Sequence, residues 1–376
     1  MRKSRKMMAA IVLMSVMLAG CAGTAAEEKT PQAVKETDEV KETDEREPDG
    51  LGEAAEGLPE IPGGLPEGGL PEGGLPEGGF PEGLPPMEPG EMAEINGESE
   101  GNVAYADISE SQICDIYKPE GEGPFPVIVL VHGGGFLFGD QRMELILPVI
   151  ETGVERGYAV VSVDYRKSAE AVFPAALADV KAAVRFVRAN AETYGFDPEH
   201  IAVWGESAGA YLSLMTALTP EVEELNGDVA ENTDYSSSVA ALVDFYGPVE
   251  FYTMDEEYAA MGKTDSNFST NESFESKFVG QAIGDDKETT YQTYWETYQD
   301  QLPKDYSLKA WIQVGDSDQS VPYTQSENFA DRLADAIGEE NVEFSVIEGA
   351  NHEDPMFYTD ENLDKVYAFL DKVMKE

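Results

Sequence analysis

The chain has 376 residues, with 74 Asp and Glu against 25 Lys and Arg, a formal net charge of −49 at pH 7. A polyanion of that size is repelled by nucleic acid and by anionic headgroups, which excludes nucleic-acid binding. Only two cysteines occur, Cys21 beside an apolar leader and Cys114 far downstream, so the body of the chain holds a single thiol and no internal disulfide.

Read in order, the chain opens on Arg2, Lys3, Arg5 and Lys6, followed by an apolar run from Met7 to Met17. That run is too short for a permanent membrane span and has the form of an export signal. It ends in Leu18-Ala19-Gly20-Cys21, which resembles the lipobox of bacterial lipoproteins. The resemblance implies a signal peptide over 1–20, cleavage before Cys21, and lipidation of the Cys21 sulfur. Acyl chains would then anchor the protein to a bacterial membrane outside the cytoplasm.

Residues 21–101 read as a disordered acidic tether. Lys-Glu-Thr-Asp-Glu stands at 35–39 and again at 41–45, and Gly-Leu-Pro-Glu-Gly recurs in register over 64–83, with Phe80 in place of the last Leu. Proline at that spacing forbids a regular helix or a central strand. With few β-branched or aromatic residues, the segment cannot bury enough apolar surface to offset the cost of ordering.

Residues 102–376 read as one domain in which strands and helices alternate. Cys114 lies in an alternating segment that reads as a strand, where a small thiol belongs to the core. Val127–Val131 and Tyr158–Ser162 are continuous apolar runs, as expected of strands buried on both faces. Further strands are expected at Ile201–Trp204, Ala240–Asp244, Ala310–Val314 and Phe344–Ile347. A helix is expected from Pro174 to about Ala191, with Leu177, Val180, Val184 and Val187 on one face and Gly195 beyond its end. Others are expected from Gln325 to Ile337 and from about Glu361 onward. This order of elements means a mostly parallel sheet covered by helices on both faces.

Gly205-Glu206-Ser207-Ala208-Gly209 matches G-x-S-x-G, directly after an expected strand and opening an expected helix, Ala210 to Leu218. That context is what the motif needs, because a sharp strand-to-helix turn lifts the serine oxygen out of the sheet. Upstream, His132-Gly133-Gly134-Gly135-Phe136 follows another strand. Its glycines leave backbone N–H groups uncovered, as a site that stabilises a developing oxyanion requires. The chain holds three histidines. His132 belongs to the glycine loop, and His200 falls in a turn at the opposite end of the sheet from Ser207. His352, in a loop after the last strand, is the one that can supply the base an activated serine needs. After the strand ending at Val314, Asp316 and Asp318 both offer the acid.

These stretches, with Asp318-Gln-Ser-Val-Pro322, Asn351-His352 and Asp164-Tyr-Arg166, resemble the α/β-hydrolase esterases related to hormone-sensitive lipase, in particular the bacterial acetyl- and feruloyl-esterase-like group. The likeness spans about 102–376. It implies an eight-stranded sheet, hydrolysis of small carboxylic esters without cofactor or metal, and Asp318 as the acid in the order Ser207, Asp318, His352. It also implies an oxyanion hole from the N–H groups of Gly134, Gly135 and Ala208. Val314-Gly315 departs from the His-Gly that such enzymes often carry before the acid. Arg166 and Asp179 read as a buried ion pair behind the site. The aromatic segment 250–306, with Tyr291, Tyr294, Trp295 and Tyr298, lies where lids and acyl pockets sit in this fold. A peptidase of the same fold and an inactive surface-binding module are the competing readings.

Overall fold

The computed structural model describes residues 90–263, 266–284, 292–304 and 306–376. The leader, Cys21, the pentapeptide repeats and Tyr291 lie outside the described residues.

The strands are β1 Glu98–Ala104, β2 Ile113–Lys118, β3 Phe125–Val131, β4 Ala159–Val163, β5 Phe196–Glu206, β6 Ala241–Phe245, β7 Lys309–Gly315 and β8 Val342–Ile347. They form one eight-stranded sheet in the order β1-β2-β4-β3-β5-β6-β7-β8. β2 runs antiparallel to β1 and β4, and every other neighbouring pair is parallel. The mostly parallel sheet expected from the alternating elements is therefore present.

Alternation along the central strands feeds two cores. In β3, Val127, Val129 and Val131 join one cluster, while Ile128 and Leu130 join the other. The first face is covered by α2 (Ala175–Ala189), the short α3 (Ala191–Tyr194) and α4 (Ala208–Leu218). The second carries α1 (Leu147–Glu155), whose Val149 and Ile150 pack beside Leu363, Val366 and Leu370. Between β6 and β7 come α5 (Met254–Ala260) and α6 (Phe274–Val279). Two long helices close the chain, α7 (Tyr323–Ile337) and α8 (Asp360–Met374).

Three features depart from the expected layout. β1 begins at Glu98, inside the 21–101 segment, and pairs with β2 from Glu98↔Lys118 to Ala104↔Ile113. Upstream of it the Arg142 guanidinium donates to the Gly90 carbonyl (3.4 Å) and pairs with buried Asp115 (2.6 Å), while Met92 and Ile95 pack on the core. The folded part therefore starts at least as early as Gly90 rather than at residue 102. The turn expected around His200 is instead the irregular start of β5, whose register with β3 shifts between Phe196 and Ile201. Finally, α2 is buried on nearly every side. The loop after α4 covers its polar face, where Lys181 Nζ donates to the carbonyls of Thr219 (2.8 Å) and Val222 (3.0 Å).

Candidate active site

The parallel strands deliver the singled-out residues to one end of the sheet. Ser207 stands between β5 and α4 with φ 50° and ψ −121°, a strained conformation for a residue with a side chain. The strain persists because its surroundings fix it. Ser207 N–H donates to the Phe245 carbonyl (2.9 Å), and Gly209 lets α4 press against the end of β3. A Cβ on Gly209 would lie 2.1 Å from the Val131 oxygen.

His352 follows β8, and its Nε2 lies 2.9 Å from Ser207 Oγ. Its Nδ1 lies 2.8 Å from Asp318 Oδ2. An ionised carboxylate only accepts, so Nδ1 carries the hydrogen and Nε2 is left to accept from the serine hydroxyl. The other Asp318 oxygen accepts the N–H groups of Ser320 (2.7 Å) and Val321 (2.8 Å), which shows why the Asp-Gln-Ser-Val turn has its shape. Asp316 faces away, exposed, and accepts from Gly349 N–H (2.7 Å). Burial works against charge on His352, but the Asp318 carboxylate outweighs it and holds the imidazole above its ordinary value.

The glycine loop passes directly over the serine, since a Cβ on Gly133 would stand 3.3 Å from Ser207 Cβ. Gly134, Gly135 and Phe136 all have positive φ. Ala208 opens α4, so its N–H belongs to the first turn, which has no intrahelical acceptor. Gly133, Ala208 and His352 thus stand beside Ser207, with Asp318 behind His352 and Gly134 and Gly135 continuing the glycine loop. His132 is buried behind the loop, and His200 pairs with Asp197 (2.8 Å) at the far end of β5. Among the described residues, no three His, Cys, Asp or Glu side chains group as a metal site.

The segment from α5 to α6 bridges the two sides of this end. A Cβ on Gly135 would stand 2.8 Å from the Phe274 ring, and the Phe278 ring stacks on Phe136 at 4.1 Å. On the other side, Lys263 Nζ donates to the Asp318 carbonyl (3.2 Å). Tyr294, Trp295 and Tyr298 are buried packing groups.

Three neighbours of the site had gone unnoticed in the sequence. Glu206, immediately before Ser207, is 1% exposed, its carboxyl buried beside the Tyr246 and Tyr358 hydroxyls. Burial pushes it up to about 8. The Tyr246 ring packs edge-on against His352 at 4.7 Å, and its hydroxyl bonds that of Tyr358. An acid inside G-x-S-x-G was the available signal for Glu206, whereas nothing local marks the tyrosines. Arg166 and Asp179 form the expected buried pair (2.9 Å), extended by Asp228 (2.8 Å). Cys114 is fully buried, and burial raises its thiol well above the usual range.

Known proteins resemble this chain. Residues 114–333 match the BD-FAE family model. A probable carboxylic ester hydrolase of Mycobacterium tuberculosis, LipM, is 31% identical over 160 residues, 42% of this chain and 36% of that protein. Esterase LipQ of the same organism is 28% identical over 254 residues, 67% of this chain and 56% of its own length. The chain therefore spans about half or less of these curated relatives. Among solved structures, a truncated carbohydrate esterase from gut microbiota matches with a TM-score of 0.66 at 25% identity, over 76% of this chain and 100% of that one. A match covering more than half of the residues, on an eight-stranded sheet of this order, makes the chain a member of the BD-FAE family of α/β-hydrolases.

Proposed function

We propose that the chain is a serine esterase that removes acyl groups from carbohydrate or other small esters, held outside the cytoplasm by lipid on Cys21. The observation that carries the hydrolytic reading is the unbroken hydrogen-bonded line from Ser207 through His352 to Asp318, set on a strained turn. In this reading Ser207 Oγ attacks the ester carbonyl while His352 Nε2 takes its proton. Asp318 stabilises the imidazolium and fixes the ring. The N–H groups of Gly134, Gly135 and Ala208 stabilise the oxyanion. Collapse of the tetrahedral intermediate releases the alcohol, protonated by His352, and leaves an acyl-Ser207. Water, deprotonated by the same imidazole, then frees the acid.

The likeness to a carbohydrate esterase supports a sugar or related alcohol as the leaving group. A panel of acetyl, butyryl, longer acyl and feruloyl esters, run beside an acetylated sugar and an amidase substrate, tests this. Short esters and the sugar acetate should be hydrolysed, and Ser207→Ala should lose about six decades of kcat. Amide cleavage alone would favour a peptidase, and unchanged turnover in Ser207→Ala would end the serine reading. The anchor rests on the leader sequence: the mature protein should partition into detergent, and Cys21→Ser should abolish that.

A further inference from the structure

His132 closes β3 and is fully buried. Its Nδ1 lies 2.7 Å from the Gly133 carbonyl oxygen, and its Nε2 lies 3.1 Å from Asp164 Oδ1 and 3.4 Å from Lys167 Nζ. A carbonyl oxygen can only accept, so Nδ1 carries a hydrogen. Burial, and then the Lys167 charge, lower the basicity of the ring. It therefore keeps that one hydrogen and presents a lone pair at Nε2. Burial opposes charge on Asp164, but the Lys167 ammonium that bonds it keeps its carboxyl below the usual range. An ionised Asp164 has nothing to donate to Nε2. Lys167 does.

Lys167 is itself firmly held. It bonds Asp164, donates to the Tyr165 carbonyl (2.8 Å), and lies 4.2 Å from the centre of the Tyr165 ring. That ring stacks on His132 at 4.5 Å, and its hydroxyl donates to the His132 carbonyl (3.0 Å). Asp164 and Lys167 are the charged groups that face the imidazole, and both come from the segment after β4. The same segment holds the Phe136 carbonyl through Ser168 N–H (2.8 Å) and Oγ (3.0 Å), so it backs the whole glycine loop.

We propose that Lys167 is a positioning residue for the glycine loop: by donating to His132 Nε2 it keeps the ring in the Nδ1–H form that grips the Gly133 carbonyl. In a trans peptide the carbonyl and the following N–H point in opposite directions, so gripping Gly133 O fixes Gly134 N–H. The kinetic consequence rests on the esterase reading, in which Gly134 N–H binds the oxyanion.

Lys167→Met removes the donor. At low pH the ring can take a second proton, pair with Asp164 and keep its grip on Gly133. At high pH it holds one hydrogen, which moves to Nε2 to face the carboxylate. That leaves the Nδ1 lone pair against the Gly133 oxygen, and the grip is lost. With p-nitrophenyl acetate, kcat of Lys167→Met should fall about tenfold or more as pH rises from about 7 to 10, with KM within about twofold. Wild type and Lys167→Arg should hold their plateau. Adding Asp164→Asn to Lys167→Met should restore it, because the carboxamide donates to Nε2. Ring ¹⁵N shifts of wild-type His132 should report hydrogen on Nδ1 alone at pH 7 to 8. A Lys167→Met profile parallel to wild type, or ¹⁵N shifts showing hydrogen on Nε2, overturns the proposal. If the wild type hydrolyses no ester, the esterase reading fails, and the ring shifts still decide this one.

Discussion

Asp316 and Asp318 stand two residues apart after β7 and do different things. Asp318 is buried against His352, whereas Asp316 sits outside and holds the Gly349 N–H. Asp318→Asn should therefore lower kcat by up to ~10⁴ with KM little changed, because the ring loses its anchor and the imidazolium its counter-charge. The pH profile gives an independent check. The base must be neutral to work, and Asp318 holds His352 above its ordinary value. Removing that charge should move the acid limb of kcat/KM to lower pH even as the plateau drops. Asp316→Asn should leave the profile in place and cost about 1 kcal/mol of stability. A dead Asp316→Asn beside an active Asp318→Asn would reverse the assignment. At this scale the candidate site was legible because few residues competed, with three histidines in the chain and one of them in a loop after the last strand. Glu206 stood in the motif itself, but Tyr246 and Tyr358 were not legible, because only the packing of loops far apart in the chain brings them to the site.

The central strands could be read directly, since β3 and β4 are buried on both faces and so carry unbroken apolar runs. β1 escaped because an edge strand buries little. Glu-Ser-Glu-Gly-Asn looks like the acidic stretch before it, and Val103 is the residue of the strand that packs on the core. α1 escaped for a different reason. Gly153 interrupts its pattern and would normally argue against a helix. The structure gives the reason for the glycine: a Cβ there would lie 2.8 Å from both the Tyr367 hydroxyl and a Val160 methyl. Tyr367 cannot easily retreat, because it is buried and its hydroxyl donates to the Val149 carbonyl (2.6 Å). Gly153→Ala should thus destabilise the fold by about 1–3 kcal/mol through overcrowding, against a helix-propensity gain of roughly 1 kcal/mol. A raised melting temperature in that variant would mean that α8 shifts freely and the contact is not limiting.

Acid runs through the whole molecule, and some of it is inside. Burial pushes Glu206 up to about 8 and Asp244 and Glu275 up to about 7. Values above those of the unfolded chain mean that each adds stability in full below about pH 4 and withdraws it as pH climbs toward 7 or 8. His352, also raised, acts in the same direction. His132, held low, acts in the opposite one. Lys181, pushed down to about 7, matters only above that pH. Asp164, Asp228 and Asp371 are held below 3.8 and release their stability only in stronger acid. The melting temperature should therefore rise by a few degrees between pH 7 and pH 5.5, and calorimetry at constant ionic strength checks it. A fall over that interval would mean that the buried carboxyls stay ionised. The entry point of the chain has a mechanical consequence. Load pulling on the N-terminal segment meets Arg142 and the edge pairing of β1 before any other part of the sheet. β7 and β8, which carry the Asp318 and His352 loops, form the opposite margin. Under tension β1 would yield first, so the edge acts as a fuse: the chain would lengthen by a strand while the end that holds Ser207, Asp318 and His352 stays assembled.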